Sequence, residues 1–203
     1  MDECDRAEVK IAGSYVRKIK VALFVDGNFA RLEIARYGMN LWDIDFEKFS
    51  NIICEGYYRH FTYYFDAAPG YQNPKFKDLD AYRNGMERKF KRHKVKLGEF
   101  RRYTNGSYGQ KMVDNYLTTG LTEVIESGLV DKVILMVNDT DFVPVIERAK
   151  EHYVPVILAY FDKESTSLDL RKICDDKFVV TQEILTRSKM EKPVEEQPTE
   201  DQH

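Results

Sequence analysis

Four aspartates stand where this chain can carry chemistry. Asp139 and Asp141 lie in the stretch KVILMVNDTDF, Lys132 to Phe142, directly after the unbroken apolar run Val133 to Val137. Such a run reads as a strand buried on both faces of a parallel sheet. Two carboxylates at its end repel each other where water is scarce, which costs free energy unless a cation or hydrogen-bond donors compensate. Asp26 repeats the arrangement after the run KVALFV, with Asp26-Gly27-Asn28 giving a tight turn. Asp114 falls in the first turn of an amphipathic segment. Ligands of open α/β sheets sit beyond the carboxyl ends of the strands, where all four would gather.

Each acid also has a plainer reading. Asp139 or Thr140 suits the cap of a helix beginning near Phe142, which accounts for one residue of the group but not for both acids. Asp114 suits a first-turn acid that complements the helix dipole, and spacing leaves the two readings level. Asp66 ends an aromatic strand, Tyr57 to Asp66, and reads first as a turn acid and second as a further member of the group.

Positioning these groups requires alternating strands and helices. Lys20 to Val25 predicts a strand, and Phe29, Leu32, Ile34 and Ala35 a helix that Gly38 closes. Trp42 to Asp45 opens a second helix carrying Phe46, Phe49, Ile52 and Ile53 on one face. Leu79, Tyr82, Met86 and Phe90 mark an amphipathic helix whose other face holds Lys75, Lys77, Arg83, Arg88, Lys89 and Arg92. Val95 to Tyr103 predicts a strand ending in Arg101 and Arg102, followed by the turn-rich loop TNGSYGQ. Lys111 to Ser127 predicts a helix with Val113, Leu117, Leu121 and Val124 in its stripe. Beyond Asp141 come a helix, the buried strand Tyr153 to Phe161, a short helix capped near Ser165 to Ser167, and a last strand at Phe178 to Val180.

The 203 residues suit one domain over 20–186, with a flexible lead-in at 1–19 and a disordered polar tail at 187–203. No apolar run approaches the roughly 20 residues that span a bilayer, so no membrane partner is expected and the location expected is cytoplasmic. Cys4, Cys54 and Cys174 lack disulfide or zinc spacing, and His60, His93, His152 and His203 lack ligand spacing. The net charge of −3 hides an asymmetry. From Lys75 to Lys111 there are twelve Lys or Arg against four Asp or Glu, a balance of +8 that leaves −11 elsewhere. A basic arm beside an acidic centre suits a polyanion gripped at one place and processed at another.

The order of these pieces resembles the NYN domain, the LabA-like branch of the PIN-like nuclease superfamily. The resemblance covers Lys20 to Leu185 and rests on FVDGN at 24–28, QKMVDNYL at 110–117, VNDTDF at 137–142 and the closing pattern Ser167, Leu170, Asp175 or Asp176, and Phe178. It implies a Rossmann-like, mostly parallel sheet flanked by helices, and a metal-dependent ribonuclease. Asp26, Asp114, Asp139 and Asp141 would then be the catalytic, metal-holding carboxylates. Asn28, Lys111, Asn138 and Thr140 would meet the substrate, together with Arg88, Lys89, Arg92, Arg101 and Arg102 from the basic segment. Mg or Mn is the expected ion, because both prefer oxygen ligands and keep waters for the phosphate being cut. RNA is the expected partner ahead of DNA, with a homo-oligomer left open. Gly120 and Val137-Asn138 stand where the family usually has a further Asp and Ser-Gly, which keeps a non-catalytic RNA- or protein-binding module as the alternative reading.

Overall fold

The computed structural model describes residues 8–11, 14–68, 77–102, 108–162 and 167–191. Seven strands form one sheet in the order β6-β5-β4-β3-β7-β8-β9. The central strand is β3 (Lys20–Asp26), flanked by β4 (Tyr58–Ala68) and β7 (Lys132–Met136). Outward from β4 lie β5 (His93–Arg102) and β6 (Tyr108–Lys111); outward from β7 lie β8 (Val156–Phe161) and β9 (Asp176–Val180). Six strands are parallel, and only β6 runs against its neighbour. The uninterrupted apolar runs sit where both faces are covered, as Val21 to Val25 and Val133 to Val137 are fully buried.

Two apolar layers enclose the sheet. On one face pack α1 (Gly27–Arg36), α2 (Phe46–Ile53), α3 (Lys77–Lys89) and α7 (Gln182–Arg187), contributing Phe29, Phe49, Met86 and Leu185. On the other pack α4 (Val113–Glu126), α5 (Val143–Glu151) and α6 (Leu168–Ile173), contributing Leu117, Ile146 and Leu170. The chain builds outward from β3 in one direction and then, after β6, in the other. Right-handed crossovers in opposite directions place their helices on opposite faces. The strand order therefore switches between β3 and β7, where their carboxyl ends leave a crevice.

Three expectations about boundaries change. Residues 8–17, expected as a flexible lead-in, contain the hairpin β1 (Glu8–Ile11) and β2 (Ser14–Arg17), tied to the domain by Arg17 against Asp131 at 3.1 Å. The expected start of the tail at 187 is too early. Met190 N–H donates to the Asp43 carbonyl at 2.8 Å, Lys48 pairs with Glu191 at 2.7 Å, and Ser188 is buried. The rest of the tail, from 192, lies outside the described residues. The helix expected from Trp42 is a 3-10 turn at Leu41–Asp43, after which Asp45 caps α2 by accepting from the N–H groups of Glu47 and Lys48.

Candidate active site

Asp26 is both the last residue of β3 and the N-cap of α1, its carboxylate accepting from the N–H of Asn28 at 2.9 Å and of Phe29 at 3.1 Å. Gly27 is required by packing, because a Cβ there would stand 2.3 Å from the Tyr64 hydroxyl. Asp139 caps the 3-10 turn Thr140–Phe142, accepting from the N–H of Asp141 at 2.9 Å. Capping is compatible with a further role, since each carboxylate has oxygen lone pairs left after its backbone bonds. Asp114 enters from α4, whose preceding residue Met112 adopts a left-handed backbone at φ 73°. Such a conformation costs a side-chain-bearing residue of order 1 kcal/mol and is met at functional turns. Here it leads the chain from β6 into a helix whose first turn carries Asp114.

Burial, with the neighbouring carboxylates Asp66 and Asp114 adding to it, pushes the Asp26 carboxyl up to about 6 against the pull of its two N–H donors. Burial also raises Asp114, and the charges of Asp139 and Asp141 raise it further. Asp26, Asp114, Asp139 and Asp141 therefore share one electrostatic neighbourhood at the carboxyl end of the sheet. Asp66, ranked first as a turn acid by sequence, is buried within β4 and belongs to the same neighbourhood. Its charge is balanced by Arg83 at 2.9 Å and by the Ala67 N–H at 2.8 Å.

A cavity of about 400 Å³ opens here, lined by Asp26, Asn28, Asn138, Asp139 and Thr140 on one side and by Phe29 and Leu32 on the other. Sequence reasoning missed that apolar wall: it placed Phe29 and Leu32 together in the apolar stripe of the helix, whereas Leu32 is half exposed. Asn28 accepts from the Arg31 guanidinium at 2.6 Å, and Asn138 accepts from the Ser167 N–H at 3.0 Å, tying the loop after β7 to α6. Gly120 faces neither the cavity nor solvent squarely; a Cβ would lie 3.4 Å from the Phe65 ring and 3.8 Å from that of Phe24.

The basic residues divide. Arg88 and Lys89 close α3 at the amino-terminal end of β5, and α3 packs on the face opposite α4. Their expected place beside the acids is corrected on that ground: the apolar stripe of α3 must bury against the sheet, which turns its basic face away from the crevice. Arg83 is not on that basic face at all but buried against Asp66. Arg92 also lies at the far end of β5, where it stacks on Tyr58 at 4.6 Å. Arg101, Arg102 and Lys111 stand in the β5–β6 ladder near the acid end, and their side chains lie outside the described set.

Every donor around the cavity is oxygen, which suits a hard divalent cation. Among the described residues no three acidic, His or Cys side chains already stand close enough to share one ion. The donors fit a cation that keeps several waters and takes one or two carboxylates, and do not fit a closed protein cage. Asp26 and Asp139 would hold it, with Asp114 and Asp141 beside them.

A family model described as NYN domain matches residues 20–185. A crystal structure of a protein of unknown function from Vibrio parahaemolyticus overlays with a TM-score of 0.58 at 22% identity, covering 80% of this chain and 93% of that one. That likeness is one of fold. A Type I 3-dehydroquinate dehydratase from Clostridium difficile overlays with a TM-score of only 0.30 at 14% identity, over 86% of this chain and 68% of that one, too loosely to bear on either fold or chemistry. No curated protein matches the sequence.

Proposed function

This chain belongs to the NYN domain family, within the PIN-like nuclease superfamily, and from that membership we propose that it hydrolyses RNA phosphodiester bonds with Mg²⁺ or Mn²⁺. The observation that supports this most is that Asp26 and Asp139, from separate segments of chain, line one cavity at the crevice between β3 and β7, with Asp114 within electrostatic reach of Asp26, Asp139 and Asp141. Carboxylates within electrostatic reach of one another repel, and a divalent cation that keeps its own waters would offset that repulsion without three of them having to touch it.

In this reading Asp26 and Asp139 hold the ion, their orientation fixed by the backbone N–H groups they cap. Asp114 and Asp141 accept a proton from the attacking water or orient it. Asn28 and Thr140 position the phosphate, and Phe29 and Leu32 exclude water from one side and take the apolar face of a nucleoside. The bound cation supplies charge neutralisation and a more acidic water. A cytoplasmic site of action goes with an RNA substrate. Among the described residues no helix is long and apolar enough to cross a membrane.

Gly120 in place of an acid, and the absence of three gathered ligands among the described residues, favour a second reading: a domain that binds RNA without cutting it. Incubation of single-stranded RNA with Mn²⁺, with Mg²⁺ and with chelator decides between the two. Metal-dependent products support the nuclease, and binding without products supports the module.

A further inference from the structure

Away from the cavity, on the face of the sheet that carries α4, strands β4 and β5 present cations and aromatic rings in alternation. Lys94 and Lys96 occupy alternate positions of β5 and so share one face of the strand, about 7 Å apart, and Arg92, in the left-handed turn (φ 55°) just before β5, joins them by stacking on Tyr58. Each lies over a ring. The Arg92 guanidinium is 4.6 Å from the centre of Tyr58, the Lys94 ammonium 4.6 Å from Phe61 and 5.5 Å from Tyr63, and the Lys96 ammonium 4.6 Å from Tyr116. The register shift in β4 between Arg59 and Phe61 keeps Tyr58, Phe61 and Tyr63 together on this face while Arg59 turns inward.

Lys94 and Lys96 are exposed and the rings are half exposed. Among the described residues neither lysine has a carboxylate partner. Lys20 joins them, because its charge, with those of Lys94 and Arg92, lowers the ordinary pKa of His60 beyond what burial does. Among the described residues, acids that border the strip are Glu123 of α4, which acts on Tyr63, and Asp131, which accepts from the Lys20 backbone N–H at 2.7 Å. The upper end of the strip runs into the acids, for Lys96 pairs in register with Phe65, and Phe65 with Asp26. Asp26 is two strands away from Lys96, about 10 Å.

Lysines that merely snorkel over apolar rings would look similar one at a time. Two lysines at strand spacing with Arg92 beside them, interleaved with half-exposed rings that flexible lysine stems can uncover and ending level with an acidic cleft, make a platform on which bases stack and phosphates pair. We propose that this face of β4 and β5 is the track that holds a single-stranded polynucleotide leading into the cleft, with phosphates at Lys94 and Lys96 and bases against Phe61, Tyr63 and Tyr116. The direction toward cleavage rests on the nuclease reading above; the binding does not. The proposal also explains how Arg92 can serve a substrate although it stands far from the acids, and why Arg88 and Lys89, on the other face, do not.

The test measures anisotropy of a labelled 12-nucleotide oligo(U) RNA with the full chain in chelator, from 50 to 300 mM salt, with a 12-nucleotide DNA strand and an RNA duplex as further arms. The double variant Lys94→Gln/Lys96→Gln should bind at least tenfold more weakly at low salt and lose about 1.4 from the slope of log affinity against log salt. Phe61→Leu should weaken binding roughly tenfold with the slope unchanged, because it removes stacking and no charge. Glu123→Gln should tighten it. The control Lys172→Gln/Lys177→Gln, equal in charge change but at the opposite edge, should bind as the wild type does. RNA and DNA strands bound alike would assign the track to single strands in general; RNA bound more tightly would add contacts to the 2′-hydroxyl. The proposal is overturned if the wild type binds neither strand, if duplex binds more tightly than single strand, or if the control loses as much as the Lys94/Lys96 pair. Cleavage is read separately: wild-type cleavage with binding insensitive to the Lys94/Lys96 change defeats the track alone, and binding on the track without cleavage defeats the nuclease reading alone.

Discussion

Arg83 and Asp66 meet at 2.9 Å, Nη1 to Oδ2, with side chains only 1% and 3% exposed. The pair joins α3 to the carboxyl end of β4, beside Asp26. Arg83 also donates to the Ala67 carbonyl and pairs with Asp80, while Asp66 accepts from the Ala67 N–H and the Tyr64 hydroxyl. A buried pair repays its desolvation only when such bonds saturate it. Arg83 thereby neutralises one of the two neighbouring carboxylates that raise Asp26.

Removing one member should therefore cost more than removing both. Arg83→Leu should lower the unfolding free energy by about 3–5 kcal/mol, as expected for an orphaned buried charge, and adding Asp66→Asn should restore much of it. Urea unfolding of the two single variants and the double variant measures this. Additive losses would show that the pair is not coupled.

Asp26→Asn should stabilise the protein in metal-free buffer at neutral pH. The folded carboxyl is pushed up to about 6 from an ordinary 3.8, by burial first and then by Asp66 and Asp114. Its protonated form fits the fold better, so its favourable contribution is complete below the unfolded pKa of 3.8 and lost as pH rises through about 6. Asparagine stays neutral and still accepts from the N–H groups of Asn28 and Phe29. A gain of about 1–3 kcal/mol at pH 7.5 is expected, and Mn²⁺ should stabilise the wild type more than the variant. A variant less stable than the wild type in chelator would contradict the charge argument.

On the other face, His93 sets a limit at low pH. Its Nδ1–H donates to the Lys91 carbonyl at 2.7 Å, and its Nε2 lies 3.3 Å from the Ser50 hydroxyl. Burial, then the positive charge of Arg59, lowers it to about 4, against the pull of its backbone bonds and of Asp45. The neutral ring is the one that fits, so stability should fall as pH drops from the unfolded value near 6.5 to about 4, by on the order of 2–3 kcal/mol. His93→Gln should flatten that fall in urea titrations between pH 7 and 4; a fall of undiminished size would assign it to other groups.

Gly120→Ala should raise stability by about 0.5–1 kcal/mol, since the helix gains propensity and the new Cβ meets the Phe65 ring at ordinary contact distance. Gly120→Asp should not match that gain in chelator, because its carboxylate starts over the Phe65 and Phe24 rings, next to the strand that ends in Asp26. If the added carboxylate reaches the cleft, thermal melts with Mn²⁺ should show a larger metal shift for Asp than for Ala. Equal shifts would place residue 120 outside the site.

The inner strands were legible because parallel strands buried on both faces cannot alternate, and Val21 to Val25 and Val133 to Val137 do not. The acids that end those strands were legible for the same reason. Arg83 and Asp66 were harder, yet each left a trace. Leu79, Arg83, Met86 and Phe90 share one helix stripe, and Thr62, Tyr64 and Asp66 share one strand face, so two ionised groups stand at inward positions that answer to each other. The direction of the basic face of α3 was not legible, because periodicity shows which side of a helix is buried but not which face of the sheet it covers. That depends on the strand order, which long-range pairing decides. The hairpin at 8–17 escaped notice because its strands are four residues each, with Glu8, Lys10 and Arg17 among their apolar residues.

Cleavage of single-stranded RNA by Asp139→Asn, measured beside its melting temperature, tests the central claim most directly. Asparagine caps a helical turn as well as aspartate does, so the bond to the Asp141 N–H survives and only the charge is removed. The account predicts that wild-type cleavage requires Mg²⁺ or Mn²⁺, that the variant loses about 100-fold or more of it, and that its melting temperature in chelator is unchanged or higher. Wild-type-like cleavage by the variant, or lost activity accompanied by a lowered melting temperature, would mean that Asp139 only caps the turn and that the acids at the end of β7 are not a catalytic site.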